Sequence, residues 1–429
     1  MKFTAGIIYR SFGRANRPAG ILVALLAASM LMSCGHSKSS APPQPATAGQ
    51  LMSWSPAASF SADLLNLGIS ALGITGITAK NGAACYRLTY GTPDPSGALV
   101  NASGLVCLPS PGSANRPVIS YQHGTIFKDS DAPSRLSASS VTASEGLIGA
   151  ALAGMGFITV LPDYLGFGDS LGMVHPYLHA ATLASATVDM NRAARTFFAD
   201  PSVNASTNGQ LFLTGYSEGG YATIATQKLM EQSLSAEFPI TASAAGDGPY
   251  DLTGTAHYVV ALPSQVEPAF TAFFIKAYDT LYNSPSSIDY YFSSAYTAVV
   301  NAYFNGSYTR SEISSALGGP GVATTTLLNP AFVSSYLGSG EAALKAHVAG
   351  NDIYNWAPKV PTRLFHGQAD DIVPYANATT ALTAMTNNGS TSVTLVNCNA
   401  GSQPTTHDNC ALPFAVDAVT FFQTMATGL

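Results

Sequence analysis

The chain has 429 residues, of which 47% are hydrophobic and only 10% are charged, and its formal net charge is −6. This length allows one large core with an insert, and polarity comes mainly from Ser, Thr, Asn and Gln, which fits a globular secreted enzyme. The acidic balance, with no basic cluster beyond the first residues, argues against a nucleic-acid partner.

The N-terminal segment has the pattern of a bacterial export signal. An apolar run at 19–32, too short to span a membrane comfortably, follows a basic stretch with Lys2, Arg10, Arg14 and Arg17. The run ends in Leu31–Cys34, which resembles the cleavage box of bacterial lipoproteins. We therefore predict a lipoprotein-type signal peptide at 1–33 and lipidation of Cys34. The alternative is an ordinary secretory signal that is cut near Ser33.

Residues 34–52 are rich in Ser, Pro, Ala and Gln, a composition that predicts a flexible tether. Several acyl chains on Cys34 would hold the protein stably at a membrane, whereas a single chain would be marginal. The predicted location is the bacterial cell envelope, at the outer membrane or cell surface through the N-terminal lipid. Free secretion is the alternative.

Strand-like and helix-like runs then alternate through 53–252 and again through 351–429, which we interpret as two parts of one core. The predicted strands are 86–91, 98–107, 117–122, 157–162, 210–215, 241–246, 362–366 and 392–397. The predicted helices are 144–155, 176–198, 218–234 and 411–425. The alternation predicts an α/β fold with a mostly parallel eight-stranded sheet and helices on both faces.

Four cysteines remain when Cys34 is set aside, and they allow three pairings. Export makes disulfides plausible, and we favour the pairing that is most local in sequence, Cys85–Cys107 with Cys398–Cys410. The second bridge would bracket His407 and hold its loop. Four buried free thiols are the alternative.

The predicted strand at 117–122 ends in a short loop, His123-Gly124-Thr125. A glycine at this point lets backbone amides approach a bound carbonyl group closely. We predict that the amide of Thr125, with Gly124 as the hinge of the loop, is one donor of an oxyanion hole.

The sequence G-Y-S-E-G-G at Gly215–Gly220 lies between an apolar strand and a helix-forming run. This is the context of a nucleophile elbow, in which the two flanking glycines avoid collisions at a sharp turn. The turn exposes the hydroxyl of Ser217, and the helix directs free N–H groups at an oxyanion formed nearby. We predict Ser217 as the nucleophile and the amide of Glu218 as the second oxyanion donor.

The stretch 253–350 interrupts the alternation and is rich in Phe and Tyr. We interpret it as a mainly helical cap over the site. Most of these aromatic residues should pack in the core, and a minority should line an apolar acyl or aryl pocket. Four residues outside the cap are further pocket candidates: Tyr164, Phe167, Tyr177 and Tyr216.

A serine hydroxyl needs a base, and enzymes with this elbow follow the chain order Ser, acid, His. Asp370 follows a short predicted strand and a glycine turn, and we favour it as the acid. Asp371, its neighbour, and Asp247, in a turn after an earlier strand, are alternatives. His407 is predicted on the loop between the last strand and the last helix, where the base is expected.

Several motifs together resemble the secretory lipase (lipase A-type) branch of the α/β-hydrolases and its bacterial relatives. They are Tyr121–Thr125, Pro162–Ser170, His175–His179 and Gly215–Gly220. The resemblance covers about residues 80 to 425 and implies hydrolysis of small-molecule or lipid esters by Ser217, Asp370 and His407. It implies no cofactor.

Glu218 departs from the family pattern, because many relatives carry a small residue there, and this leaves the substrate open. His175 and His179 have the spacing of metal ligands, but Pro176 lies between them and no further ligand cluster accompanies them. We therefore predict no metal.

Three other functions stay open at this point. A serine peptidase or an acyltransferase of the same fold would use the same three residues. A non-catalytic binding protein that kept the fold would be expected to have a broken triad, whereas all three residue types are present here.

Overall fold

The computed structural model describes residues 44–112, 115–137, 145–284, 287–400 and 403–429. The predicted signal peptide, Cys34 and the tether as far as residue 43 lie outside this part of the chain. Within it, every helix is too short or too polar to cross a membrane.

One sheet of ten strands runs through the described residues, in the order β1-β2-β3-β5-β4-β6-β7-β8-β9-β10. The strands from β5 to β9 in this order pair in parallel, and the remaining pairs at the two edges are antiparallel. The strands are β1 Leu51–Phe60, β2 Gly82–Pro93, β3 Leu99–Ser110, β4 Arg116–Gln122, β5 Ile158–Pro162, β6 Thr207–Tyr216, β7 Ile240–Gly246, β8 Thr362–Gly367, β9 Val393–Ala400 and β10 Gln403–Pro404.

All eight predicted strands are present, and the mostly parallel α/β sheet is confirmed, but the strand count of eight is too low for the described residues. β1 was missed because Pro56 interrupts its pattern. Proline is tolerated at the edge of a sheet, and the register of β1 shifts between Pro56 and Ala58. β10 has two residues and leaves no pattern to detect.

Helices cover both faces of the sheet, as alternate residues of β3 show. Leu105 and Cys107 pack in one apolar cluster with helices near both ends of the chain, at residues 62–71, 146–154 and 407–423, whereas Val106 and Leu108 pack in another with the helix at 180–198. The helices of the core are α1 Ala62–Ala71, α2 Gly146–Gly154, α3 Ala180–Phe198, α4 Glu218–Ser233, α13 Tyr375–Asn387 and α14 His407–Gln423. α1 and α13 were not predicted.

The cap, residues 253–350, is helical and lies in the chain between β7 and β8. Its helices are α5 Leu252–Ala261, α6 Pro268–Leu281, α7 Ile288–Tyr291, α8 Ser294–Tyr303, α9 Arg310–Ala316, α10 Thr324–Leu327, α11 Pro330–Leu337 and α12 Ala342–Ala349. Buried cap residues such as Phe273, Tyr278 and Phe332 share one apolar cluster with Tyr177 and Tyr221 of the core. The cap is therefore packed on the core rather than held apart from it.

The favoured cysteine pairing is present. Cys85 and Cys107 are cross-strand partners on β2 and β3. Cys398, near the end of β9, is bonded to Cys410 in the first turn of α14, 12 residues further along. The second disulfide closes the segment that contains His407.

Candidate active site

The turn between β6 and α4 is formed by Ser217, which has a φ of 60° and a ψ of −121°. Gly215 and Gly219 make this turn possible. A Cβ on Gly215 would lie 2.4 Å from the carbonyl oxygen of Gln122, and one on Gly219 would lie 2.0 Å from it. Because β4 passes so close, only glycine fits on either side of the serine.

Ser217, His407 and Asp370 lie in one line of contacts. His407 Nε2 is 2.9 Å from Ser217 Oγ, and His407 Nδ1 is 2.7 Å from Asp370 Oδ2. An ionised carboxylate only accepts, so Nδ1 carries a hydrogen toward Asp370 and a neutral His407 presents its lone pair to Ser217. All three residues are buried.

His407 was predicted to lie in the loop before the last helix. It is instead the first residue of α14, because the helix begins at residue 407 and not at the predicted residue 411. Asp370 follows β8, and its other oxygen, Oδ1, accepts the backbone amides of Ile372 and Val373 at 2.9 and 2.8 Å. These two amides fix the carboxylate, and the start of α14 fixes the imidazole.

Burial and charge act in opposite directions on this pair. Burial alone would raise the pKa of Asp370, but the charge of His407 and hydrogen bonds from His366 and His407 lower it well below its usual range. Burial alone would lower the pKa of His407, but Asp370 raises it to about 9, with a smaller contribution from Asp247. The surroundings therefore stabilise a protonated His407.

The two alternative carboxylates are placed differently. Asp371 is exposed, and its side chain only accepts the backbone amide of His407, at 3.4 Å. Asp247, after β7, is fully buried with Oδ2 at 3.9 Å from His407 Nδ1. It instead accepts the hydroxyl of Tyr216 at 2.5 Å and the amide of Gly367 at 3.0 Å. Of the three, Asp370 makes the hydrogen bond to the imidazole.

Asp247, His366 and Asp370 each place one potential metal ligand within 4.8 Å of the others. The carboxylate oxygens are already hydrogen-bonded within the protein, as described above, and His366 Nε2 donates to the carbonyl of Val373 at 2.9 Å. Burial raises the pKa of Asp247 to about 6, although the nearby charge of His366 opposes this effect. We interpret this cluster as structural support behind His407.

The loop after β4 carries Gly124 and Thr125 into the same region. Both residues are buried, and the Thr125 hydroxyl lies 3.1 Å from the Tyr177 hydroxyl. Asp163 holds the neighbouring loops, since it accepts the hydroxyl of Ser103 at 2.5 Å and the amide of Ser134 at 2.8 Å. The predicted oxyanion loop lies against the elbow, since a Cβ on Gly219 would lie 2.7 Å from the carbonyl oxygen of His123.

A cavity of about 290 Å³ opens above Ser217. Ser217, Glu218 and Tyr177 line it from the core side. Cap residues line most of the rest, including Ala256, Phe270, Phe274, Tyr278, Tyr282 and Tyr291. A minority of the cap aromatics therefore faces the space above the nucleophile.

Three of the four pocket candidates outside the cap are not part of this lining. Tyr164 is fully buried, and its hydroxyl donates to the carbonyl of His123 at 3.2 Å. Phe167 packs against His175 with ring centroids 5.1 Å apart. Tyr216 points toward Asp247 behind His407. Only Tyr177 of this group lines the cavity, because the other side chains turn into the layer beneath it.

The partner of Glu218 was not predicted from the sequence. His175 Nε2 lies 2.6 Å from Glu218 Oε1, and both side chains are almost fully buried. Two sequence features bear on this contact: the motif His175–His179, which contains the histidine, and the unusual acid at position 218. The two residues are 43 positions apart, however, and no local spacing links them.

A charged contact joins the cap to the start of α14. Arg310 Nε lies 2.6 Å from Glu267 Oε2, within the cap, and Arg310 Nη1 lies 3.3 Å from Asp408 Oδ1. Its guanidinium also lies over the ring of Phe270, 4.8 Å from the centroid. Asp408 directly follows His407, so the cap contacts the segment that carries the imidazole.

The sequence pattern of the secretory lipase family matches residues 130–416, and the chain belongs to this family. Among solved structures it is similar to the rice cell wall degrading esterase LipA from Xanthomonas oryzae. The two are 26% identical with a TM-score of 0.77, over 89% of this chain and 99% of that chain. A Legionella pneumophila protein described as a hydrolase is 28% identical, with a TM-score of 0.78 over 87% and 97% of the two chains.

Candida antarctica lipase A in its closed state is 18% identical, with a TM-score of 0.65 over 89% of this chain and 84% of that chain. This likeness supports the shared fold alone. No curated protein sequence is significantly similar to the chain.

The family and the esterase likeness identify the chain as a carboxylic ester hydrolase of the α/β-hydrolase superfamily. The resemblance inferred from the motifs is therefore confirmed. The family name also points to export.

Proposed function

We propose that the protein cleaves carboxylic esters through an acyl-enzyme on Ser217, with His407 as the general base and Asp370 as its orienting acid. The observation that carries this proposal is the unbroken line of contacts, 2.9 Å from Ser217 Oγ to His407 Nε2 and 2.7 Å from His407 Nδ1 to Asp370 Oδ2. Both distances lie within the reach that proton transfer requires.

In the first half of the reaction, His407 accepts the proton of Ser217 as the hydroxyl attacks the ester carbonyl carbon. The negative oxygen that forms is stabilised by the backbone amides of Glu218 and Thr125. Asp370 stabilises the imidazolium, which then gives its proton to the leaving alcohol. In the second half, His407 activates the water molecule that releases the acid from Ser217.

The cavity supports an apolar acyl or aryl group as the part of the ester that the enzyme binds. Its lining is mainly aromatic and aliphatic, and Ser217 lies at its inner wall. Small-molecule sites are typically concave and mostly apolar with a few polar groups that fix orientation. We therefore place the substrate among esters with an apolar chain of medium length.

We further propose that the protein is exported and anchored by lipid on Cys34, and that the segment between Cys34 and β1 acts as a tether. The predicted tether is shortened at its C-terminal end, because Leu51 and Met52 belong to β1. The motif at Leu31–Cys34 and the family's export support this. Metabolic labelling of the producing cells with an alkyne analogue of palmitate tests it. Label on the wild-type protein and none on Cys34→Ser is expected, and an unlabelled wild-type protein would contradict the anchor.

The roles of the carboxylates can be separated by amide substitutions. Asp370→Asn should lower kcat by about 10⁴-fold, because the amide no longer holds the correct tautomer of His407. Asp371→Asn, the exposed neighbour, is the matched control and should change kcat by less than about threefold. Initial rates on a nitrophenyl ester measure both. Near-normal turnover in Asp370→Asn, with collapse in Asp247→Asn, would assign the acid to β7 instead.

The rate should depend on the protonation of His407. A protonated imidazole cannot accept the proton of Ser217, and Asp370 raises the pKa of His407 to about 9. Lowering the pH through this value adds the proton and removes the base, so kcat/KM should rise through the neutral range, reach half its maximum near pH 9 and level off above it. A pH series on a soluble ester measures this. A half-maximal rate near pH 6.5, the ordinary pKa of histidine, would contradict the assigned coupling.

Chain-length preference should follow the volume of the cavity. Each buried methylene is worth about 0.8 kcal/mol, or nearly fourfold in kcat/KM, until the space is filled. Nitrophenyl esters from acetate to palmitate should therefore show a rise toward medium chains and then a plateau or fall. Ala256→Trp, in the lining, should lower the octanoate-to-acetate ratio of kcat/KM.

His257→Trp is the matched control for that substitution, because it adds the same ring to the exposed side of the same helix. It should leave the ratio in place. A wild-type enzyme that prefers acetate to every longer chain would contradict the proposed substrate class and favour small or aryl esters.

A further inference from the structure

Glu218 places a carboxylate in the wall of the active-site cavity, one residue after the nucleophile. Its side chain is only 1% exposed, and it lines the cavity together with Ser217. A buried carboxylate without a partner is costly. An unpaired negative charge here would also repel the negative oxygen that forms when Ser217 attacks an ester. The position therefore requires a partner for Glu218.

His175 is that partner, and hydrogen-bond counting fixes the charge of the pair. His175 Nδ1 lies 2.6 Å from the carbonyl oxygen of Leu165, which can only accept, so Nδ1 carries a hydrogen. His175 Nε2 lies 2.6 Å from Glu218 Oε1, so one proton must lie between these two atoms. Whether that proton is on the imidazole or on the carboxyl group, the pair has no net charge.

The imidazole of His175 is held rigidly in this position. An added Cβ on Gly166, which has a φ of 91°, would lie 2.6 Å from the Cα of His175, so the backbone there is tightly packed. Aromatic rings surround the imidazole with centroids between 5.1 and 6.2 Å away, those of Tyr164, Phe167, Tyr177 and Phe273.

The pair also lies against the predicted oxyanion loop. The imidazole of His175 lies beside the ring of Tyr177, with the two ring centroids 6.2 Å apart. The Tyr177 hydroxyl is 3.1 Å from that of Thr125. Glu218 is therefore close to the loop that supplies one proposed amide, and its own backbone supplies the other.

We propose that His175 is a positioning residue that neutralises Glu218, so that the first turn of α4 presents its amide to the reacting oxygen without an opposing carboxylate charge. This inference rests on the proposed acyl-enzyme mechanism. Glu218 in turn is suited to the first helical position, where the helix dipole favours an acid.

A double-mutant cycle tests this proposal. His175→Phe fits among the surrounding rings but leaves Glu218 without its proton-sharing partner. It should lower kcat by about tenfold to a hundredfold, less than the loss of a whole oxyanion donor, because the amide itself remains in place. KM should change much less, because the repulsion is felt mainly in the transition state.

Repeating His175→Phe in the Glu218→Gln background should cost only about threefold, since no carboxylate is left to neutralise. In the Glu218→Gln variant, the side-chain amide at position 218 can still donate a hydrogen bond to Nε2 of His175. Active-site titration with a fluorophosphonate gives kcat per folded enzyme, so a lower folded fraction does not enter the comparison. His179→Phe is the control, because His179 hydrogen-bonds Thr182 instead.

Equal losses from His175→Phe in both backgrounds would overturn the proposal and assign His175 a packing role. No loss in either background would overturn it as well. Should His175→Phe not fold, His175→Asn is measured in the same two backgrounds with the same criterion. The acyl-enzyme mechanism itself is tested separately by Ser217→Ala. Unchanged ester turnover in that variant would contradict the mechanism, whatever the outcome of the double-mutant cycle.

Discussion

The backbone of Gly219 lies directly against the carbonyl oxygen of Gln122, where an added Cβ would come within 2.0 Å. This contact allows β6 to turn into α4 within one residue and holds Ser217 at a φ of 60°. It also brings the end of β4, and with it the loop of Gly124 and Thr125, next to the serine. A larger residue at this point would separate the nucleophile from its proposed oxyanion donors at once.

The parallel sheet brings the remaining groups to the same edge from distant parts of the sequence. Ser217 and His407 are 190 residues apart, yet β6 and β9 are separated in the sheet only by β7 and β8. Asp370 follows β8 and reaches the imidazole, whereas Asp247 follows β7 and reaches Tyr216. The order of the strands thus explains why two carboxylates lie behind one histidine and why only one hydrogen-bonds it.

Features with a local sequence pattern were predictable, and features that depend on long-range contacts were not. The elbow at Ser217, the eight strands and both cysteine pairs follow from short motifs, alternation and loop length. His407 was assigned to a loop because proline is typical of the first turn of a helix, which favours a start near Pro413, whereas α14 begins earlier, after Thr406. The inward turn of Tyr164 and Phe167 and the contact of His175 with Glu218 depend on how loops fold onto one another, which single-chain spacing does not encode.

Arg310 joins the cap to Asp408, one residue beyond His407. The element that encloses the substrate and the element that carries the base are therefore not independent modules. A cap without Arg310 would leave Asp408 without this guanidinium, beside the histidine that acts as the proposed base. We therefore expect a new substrate preference to arise from substitutions in the cavity wall that leave Arg310 unchanged.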